Sequence, residues 1–315
     1  MLAARVENIL EVLANRKILF NQSEATEDEQ QLVINSKFNL LRNATETARR
    51  HLQAKRKLSF MTHSYAITEL QVAACSEISF RFSYEYMNQY RDTNVTIFAI
   101  GSSVEGGGNH MMVLIGEVNN IDTFVELNSR SKNSIKDFLE AQSAECLLVD
   151  PYFKKYGPAN IFYSEIEPYC ERNGICEILS VSPFNKISEA VLARLEEVRV
   201  DGAELARTIN ITVLQEALNS CSRLKKIEQK WTFHSKNNAY YLQYTVEIKD
   251  KIEGLQQIFL EHNVRLQMLS KGDKLYLACP ALSLDLLQLV SVSRRLAANL
   301  QLEIHVMQLG LARTL

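Results

Sequence analysis

Apolar side chains at Val6, Ile9, Leu10, Val12, Leu13, Ile18 and Leu19 keep mostly to one helical face, so residues 3–20 read as an amphipathic helix. Ser23 then precedes Glu24, Glu27, Asp28 and Glu29, an N-cap followed by carboxylates in the first turn. Leu32, Val33, Phe38, Leu40 and Leu41 carry that second helix towards Lys57, which makes a helical hairpin of residues 1–58. The acidic stretch also has the composition of a binding tail, but helix-start chemistry accounts for it more simply.

The pattern is mixed between Ser59 and Ala74, after which Ile78, Phe82, Tyr86 and Tyr90 fall four apart on a helix that starts at Cys75. Val95–Ile100 and His110–Gly116 read as strands joined by a connection containing Gly101, Gly106, Gly107 and Gly108. That connection is either a substrate-facing flap or a long hairpin loop. Another strand is expected at Thr123–Leu127, a short helix near Ile135–Leu139, and an apolar strand from Cys146 that Asp150 closes before Pro151. Ile161–Tyr163 looks strand-like, with a helix over Glu165–Arg172 and a strand over Glu177–Val181. These elements delimit a domain over residues 59–183.

Helical periodicity resumes from Lys186 to Arg199 and from Ala203 to Ile227, two helices that bridge residues 184–228. Residues 229–315 form a small α+β module. It has a hairpin around Ser235–Asn238, a helix capped by Asp250, a hairpin around Ser270–Asp273, a helix from Leu284 to Leu300 and a strand from Glu303 to Gln308. The two hairpin-plus-helix units suggest an internal repeat, with little residue identity between them. The fold class is α+β with an antiparallel sheet.

Composition narrows the partners. The chain has 315 residues with 35 basic against 37 acidic side chains, and that balance carries no electrostatic footprint for nucleic acid or an anionic membrane. No apolar run reaches the length of a spanning helix, so no transmembrane segment is expected. Glu7 and Glu11 interrupt the N-terminus before any apolar core develops, which argues against a classical signal peptide. The six cysteines include no Cys-x-x-Cys pair and the six histidines are scattered singly, so reduced thiols are expected, with no metal site and no cofactor.

The candidate chemistry lies in three residues. A cysteine at a helix start, Cys75, feels the positive helix end, which favours the thiolate. A histidine at a strand start, His110, and an aspartate at a strand end, Asp150, meet at one sheet edge if their strands run antiparallel. The histidine would hold the thiolate and protonate a leaving amine, and the aspartate would fix its orientation. For the oxyanion, the Cys75 backbone amide and the Gln71 side chain are candidates. Glu77 reads as a first-turn capping residue more readily than as a catalytic one. The bland alternative is a buried thiol, a satisfied strand-end histidine and a turn aspartate occurring together.

The blocks Ala74-Cys75-Ser76-Glu77, Asn109-His110-Met111-Met112-Val113-Leu114-Ile115 and Leu148-Val149-Asp150-Pro151-Tyr152 resemble those of papain-like thiol enzymes among bacterial secreted effectors and toxins. The resemblance covers roughly residues 59–183 and implies a papain-like domain with Cys75, His110 and Asp150 as its triad. It also implies a protein substrate in a host cell, reached by secretion without a classical signal peptide; the residues alone imply only a cytoplasmic, reducing setting. The group includes proteases, glutamine deamidases and transglutaminases, which the triad does not distinguish. A different class, a non-catalytic protein-interaction effector on the same scaffold, stays open. Acetyl transfer would want a phosphate-cradling loop, and only the glycine run resembles one. Residues 184–315 are assigned to recognition by exclusion, since His234, His262 and His305 lack evident cysteine or carboxylate partners.

Overall fold

A strand that is buried on both faces has no polar side to present, and Val95–Gly101 (β3), reading Val-Thr-Ile-Phe-Ala-Ile-Gly, is buried at every position. The computed structural model describes residues 1–20, 34, 39, 41, 60–102, 108–119, 134–184, 189–286 and 288–298. Contacts divide the chain into two units, Met1–Gln22 with Arg49–Ala206 and Ser23–Ala48 with Arg207–Leu315. Both are mixed α+β with antiparallel sheets.

In the first unit, α1 (Leu2–Asn15), β1 (Leu19–Phe20), α2 (Phe60–Glu69), β2 (Val72–Ala73) and α3 (Cys75–Gln89) precede β3. After β3 come β4 (Asn109–Ile115), α4 (Ser134–Glu140), β5 (Leu147–Asp150), β6 (Lys155–Pro158), α5 (Ala159–Arg172) and β7 (Glu177–Phe184). The sheet order is β6-β5-β4-β3-β7 with every neighbouring pair antiparallel. Side chains on β4 alternate between two cores. Val113 and Ile115 pack with Val6 and Ile9 of α1, Tyr65 of α2, and Ile78 and Phe82 of α3. Met112 and Leu114 pack with Phe138 of α4 and with Phe162 and Ile166 of α5. The result is a sheet between two helical layers.

Three local expectations give way. The first helix ends at Asn15 because Lys17 takes a left-handed conformation (φ 53°), after which Leu19–Phe20 pair in parallel with Val72–Ala73. Ile161–Tyr163 is not a strand: Phe162, Ile166 and Cys170 are the buried stripe of α5, and a three-residue apolar run cannot by itself set the period. The two bridging helices are one, α6 (Glu189–Leu224). Gly202 does not break it; a Cβ there would lie 2.7 Å from Tyr65 Cδ1, so the glycine permits a close approach.

The second unit holds β8 (Thr232–His234), β9 (Ala239–Tyr244), α7 (Lys249–Glu261), β10 (Gln267–Lys271) and β11 (Lys274–Pro280), in the sheet order β10-β11-β9-β8. Helix α7 begins one residue before Asp250, so that carboxylate sits in the first turn rather than at the N-cap. Residues 288–298 are helical, giving two successive hairpin-plus-helix units. Trp231 is fully buried, its indole N–H donating to Ser222 Oγ at 2.8 Å. Among the described residues no helix is long and apolar enough to cross a membrane. Of the expected helix after Ser23 only Ile34, Asn39 and Leu41 are described, and all three are helical; Gly106 and Gly107, the strand at Thr123–Leu127 and the strand at Glu303–Gln308 lie outside the described residues.

Candidate active site

The register of β4 against β5 pairs Val113 with Val149 and Leu114 with Leu148. One further step sets Asp150 opposite Met112, and His110 is two residues along the same face. The pair meets there: His110 Nε2 and Asp150 Oδ2 are 2.7 Å apart, with the residues 3% and 1% exposed. Asp150 Oδ1 accepts the backbone N–H groups of Tyr152 and Phe153, each at 3.1 Å. Both carboxylate oxygens are thus committed, one to the turn after Pro151 and one to the imidazole.

Cys75, partly exposed, is the first residue of α3. Its N-cap, Ala74, has no side-chain acceptor, so the amides of Cys75, Ser76 and Glu77 have no partner within the helix. The Glu77 carboxylate accepts the Ala74 N–H at 3.1 Å and the Ser76 hydroxyl at 2.9 Å, which is a capping role. One turn further on, Ser79 Oγ donates to the Met111 carbonyl at 2.8 Å. That bond ties the start of α3 to the residue after His110 and carries Cys75 to the imidazole.

Burial is the largest single influence on the His110 pKa and pushes it down. The hydrogen bonds to Asp150 and Cys75, together with their charges, push it up and prevail, so it stands at about 9 instead of 6.5. The ring is therefore an imidazolium at neutral pH. Nε2 is taken by Asp150, which leaves Nδ1 for the sulfur. Cys146, Cys170, Cys221 and Cys279 are different: burial pushes their thiols up to about 12, 11, 12 and 12.

Gln71 is exposed in the turn before β2, at φ 60°, with its carbonyl accepting from Leu19 N–H at 2.9 Å. The structure gives it a turn role and does not place it among the groups bonded to His110. Sequence reasoning missed the rings around that imidazole. Tyr169, Phe153 and Tyr152 lie with centroids 5.0, 5.5 and 6.0 Å away. Tyr152 and Phe153 follow the Asp-Pro block directly, and Tyr169 stands seven residues after Phe162 and three after Ile166, a helical spacing that puts it beside the buried stripe.

Arg81 was equally unforeseen. Its fully buried guanidinium pairs with Glu85 at 2.8 Å and Glu69 at 3.0 Å and lies 3.7 Å over the Tyr65 ring, joining α2 to α3 behind the site. Gly108, at the end of the glycine-rich connection, approaches Asn173 so closely that a Cβ would stand 2.9 Å from Asn173 Cβ. Among the described residues no group of three or more His, Cys, Asp or Glu side chains is disposed to hold a metal. No known protein family, curated protein or solved structure matches this chain, so what the site does is argued from its own geometry.

Proposed function

We propose that the first unit is a papain-like thiol enzyme that transfers the acyl group of an amide in a protein substrate. One observation carries this reading: a buried imidazole engaged on one side by Asp150 and on the other by Cys75 at a helix start. In the step envisaged, the Cys75 sulfur adds to the carbonyl carbon and the C=O π pair moves to oxygen. Collapse expels the nitrogen, which takes its proton from His110 and leaves a thioester on Cys75. Water or a second amine then releases the acyl group, with His110 taking the proton back.

A backbone amide would make this proteolysis, a glutamine side chain with water deamidation, and a glutamine with a lysine transglutamination. Delivery into a host cell, which rests on the resemblance, and a recognition role for residues 184–315, which rests on exclusion, extend the same proposal. The test is mass spectrometry of a defined protein mixture incubated with wild type or Cys75→Ala. New termini, glutamine-to-glutamate conversion or glutamine–lysine cross-links are expected with wild type alone. Identical products from the two proteins would sink the proposal.

A further inference from the structure

An acyl-transfer site must stabilise the charge that forms on the carbonyl oxygen, and donors aimed at that position lower the barrier more than any other single device. The helix start offers the Cys75 amide as one donor. The side-chain candidate read from the sequence, Gln71, is exposed in a turn that its backbone N–H and carbonyl hold to Thr68 and Leu19, and no hydrogen bond ties its side chain to His110.

We propose that the Tyr169 hydroxyl is the second oxyanion donor. This rests on the acyl-transfer reading of the site and names a catalytic residue for it. The Tyr169 ring stands 5.0 Å from His110 and 5.2 Å from Phe153, so it is held against the reacting pair from the α5 side while Cys75 reaches it from α3. Its backbone is fixed: Pro168 precedes it, and its carbonyl accepts from the Asn173 amide at 3.1 Å and from Asn173 Nδ2 at 2.9 Å. Ile166 and Cys170 anchor the same helical turn in the core.

Among the described residues the hydroxyl itself has no hydrogen-bond partner, although the ring is only partly exposed. Burial is the main reason the phenol is pushed up to about 12, and of the neighbouring charges Cys75 acts on it most strongly, ahead of Tyr152 and Asp150. A phenol that keeps its proton across the neutral range remains a donor, and one that feels the sulfur charge most is near the atom that attacks. In the addition step the Tyr169 O–H and the Cys75 N–H donate hydrogen bonds to the new oxyanion. Neither gives up its proton, and the bonds are released when the C=O re-forms.

Two reagents separate this role from a structural one. 4-Nitrophenyl acetate acetylates a thiolate through a tetrahedral oxyanion, whereas iodoacetamide alkylates it by direct displacement with no oxyanion. Rates at Cys75 are taken as the difference between each protein and its Cys75→Ala counterpart. Tyr169→Phe is expected to slow 4-nitrophenolate release roughly 100-fold, as loss of one oxyanion donor does, while iodoacetamide alkylation keeps its rate and pH profile. Equal slowing of both reactions would mean that Tyr169 only positions His110, and an unchanged acetylation rate would mean that it does nothing there; either overturns the proposal. If neither reagent distinguishes wild type from Cys75→Ala, the acyl-transfer reading itself fails.

Discussion

Replacing Asp150 by Asn removes a charge while keeping an oxygen for the Tyr152 and Phe153 amides, and its consequence is read at His110. The rise of the imidazole pKa from 6.5 to about 9 corresponds to roughly 3 kcal/mol favouring the charged ring in the fold. Burial opposes that rise, so the paired groups do more than the net figure states. Loss of a buried opposite charge in hydrogen-bond contact moves a pKa by about 1–3 units, so the Asp150→Asn midpoint should fall to roughly 7. The assay is NMR of protein labelled in the histidine rings, with His110 assigned by its loss in His110→Ala. The sign for stability follows. A folded pKa above the unfolded one stabilises fully below 6.5, and the effect is lost as pH rises through about 9. The stability gap between wild type and Asp150→Asn should therefore narrow over that window. A wild-type midpoint at or below 6.5, or one that Asp150→Asn leaves in place, refutes the reasoning.

Arg81→Met leaves Glu85 and Glu69 without their buried partner, although Arg16 still reaches Glu69 at 2.8 Å and Glu85 at 3.0 Å. The loss should be about 3 kcal/mol, at the low end for a broken buried pair, measured by urea denaturation followed by circular dichroism. Gly202→Ala gains about 1 kcal/mol of helix propensity but overpacks by roughly 1–3 kcal/mol. Tyr65 cannot yield, being pinned beneath Arg81, so a net destabilisation is expected by the same measurement. Ser222→Ala leaves the buried Trp231 indole N–H without its acceptor and should cost about 1–3 kcal/mol. As Trp231 is the sole tryptophan, its fluorescence reports that change directly.

What the sequence made legible is what local pattern determines. Four-residue spacing after Cys75 marks a helix start, and Asp150 before Pro151 marks a strand end. An antiparallel pairing of β4 and β5 then suffices to put His110 and Asp150 on one face. Four-residue spacing was also available for Phe162, Ile166 and Cys170, but the β-like run Ile161-Phe162-Tyr163 masked it and with it the placement of Tyr169. Strand β6, Lys-Tyr-Gly-Pro, has no alternation to read because it is an edge strand. Arg81 sits on an apolar helical face, where a charge resembles an interruption until the Glu69, Glu85 and Tyr65 partners are known. Gly202 resembles a helix break until Tyr65 is seen against it. These are long-range facts, set by packing between elements.

The account stands most directly on whether His110 activates Cys75. Limiting iodoacetamide at about pH 6, where an ordinary thiol is under roughly 1% thiolate, followed by peptide mapping, measures it. Exposure alone would favour Cys75 and Cys176 over the buried Cys146, Cys170, Cys221 and Cys279, so Cys176 is the internal reference. Cys75 labelled well ahead of Cys176 in wild type, with that lead lost in His110→Ala, is the predicted result. Equal labelling of Cys75 and Cys176, or a lead that survives His110→Ala, would contradict it.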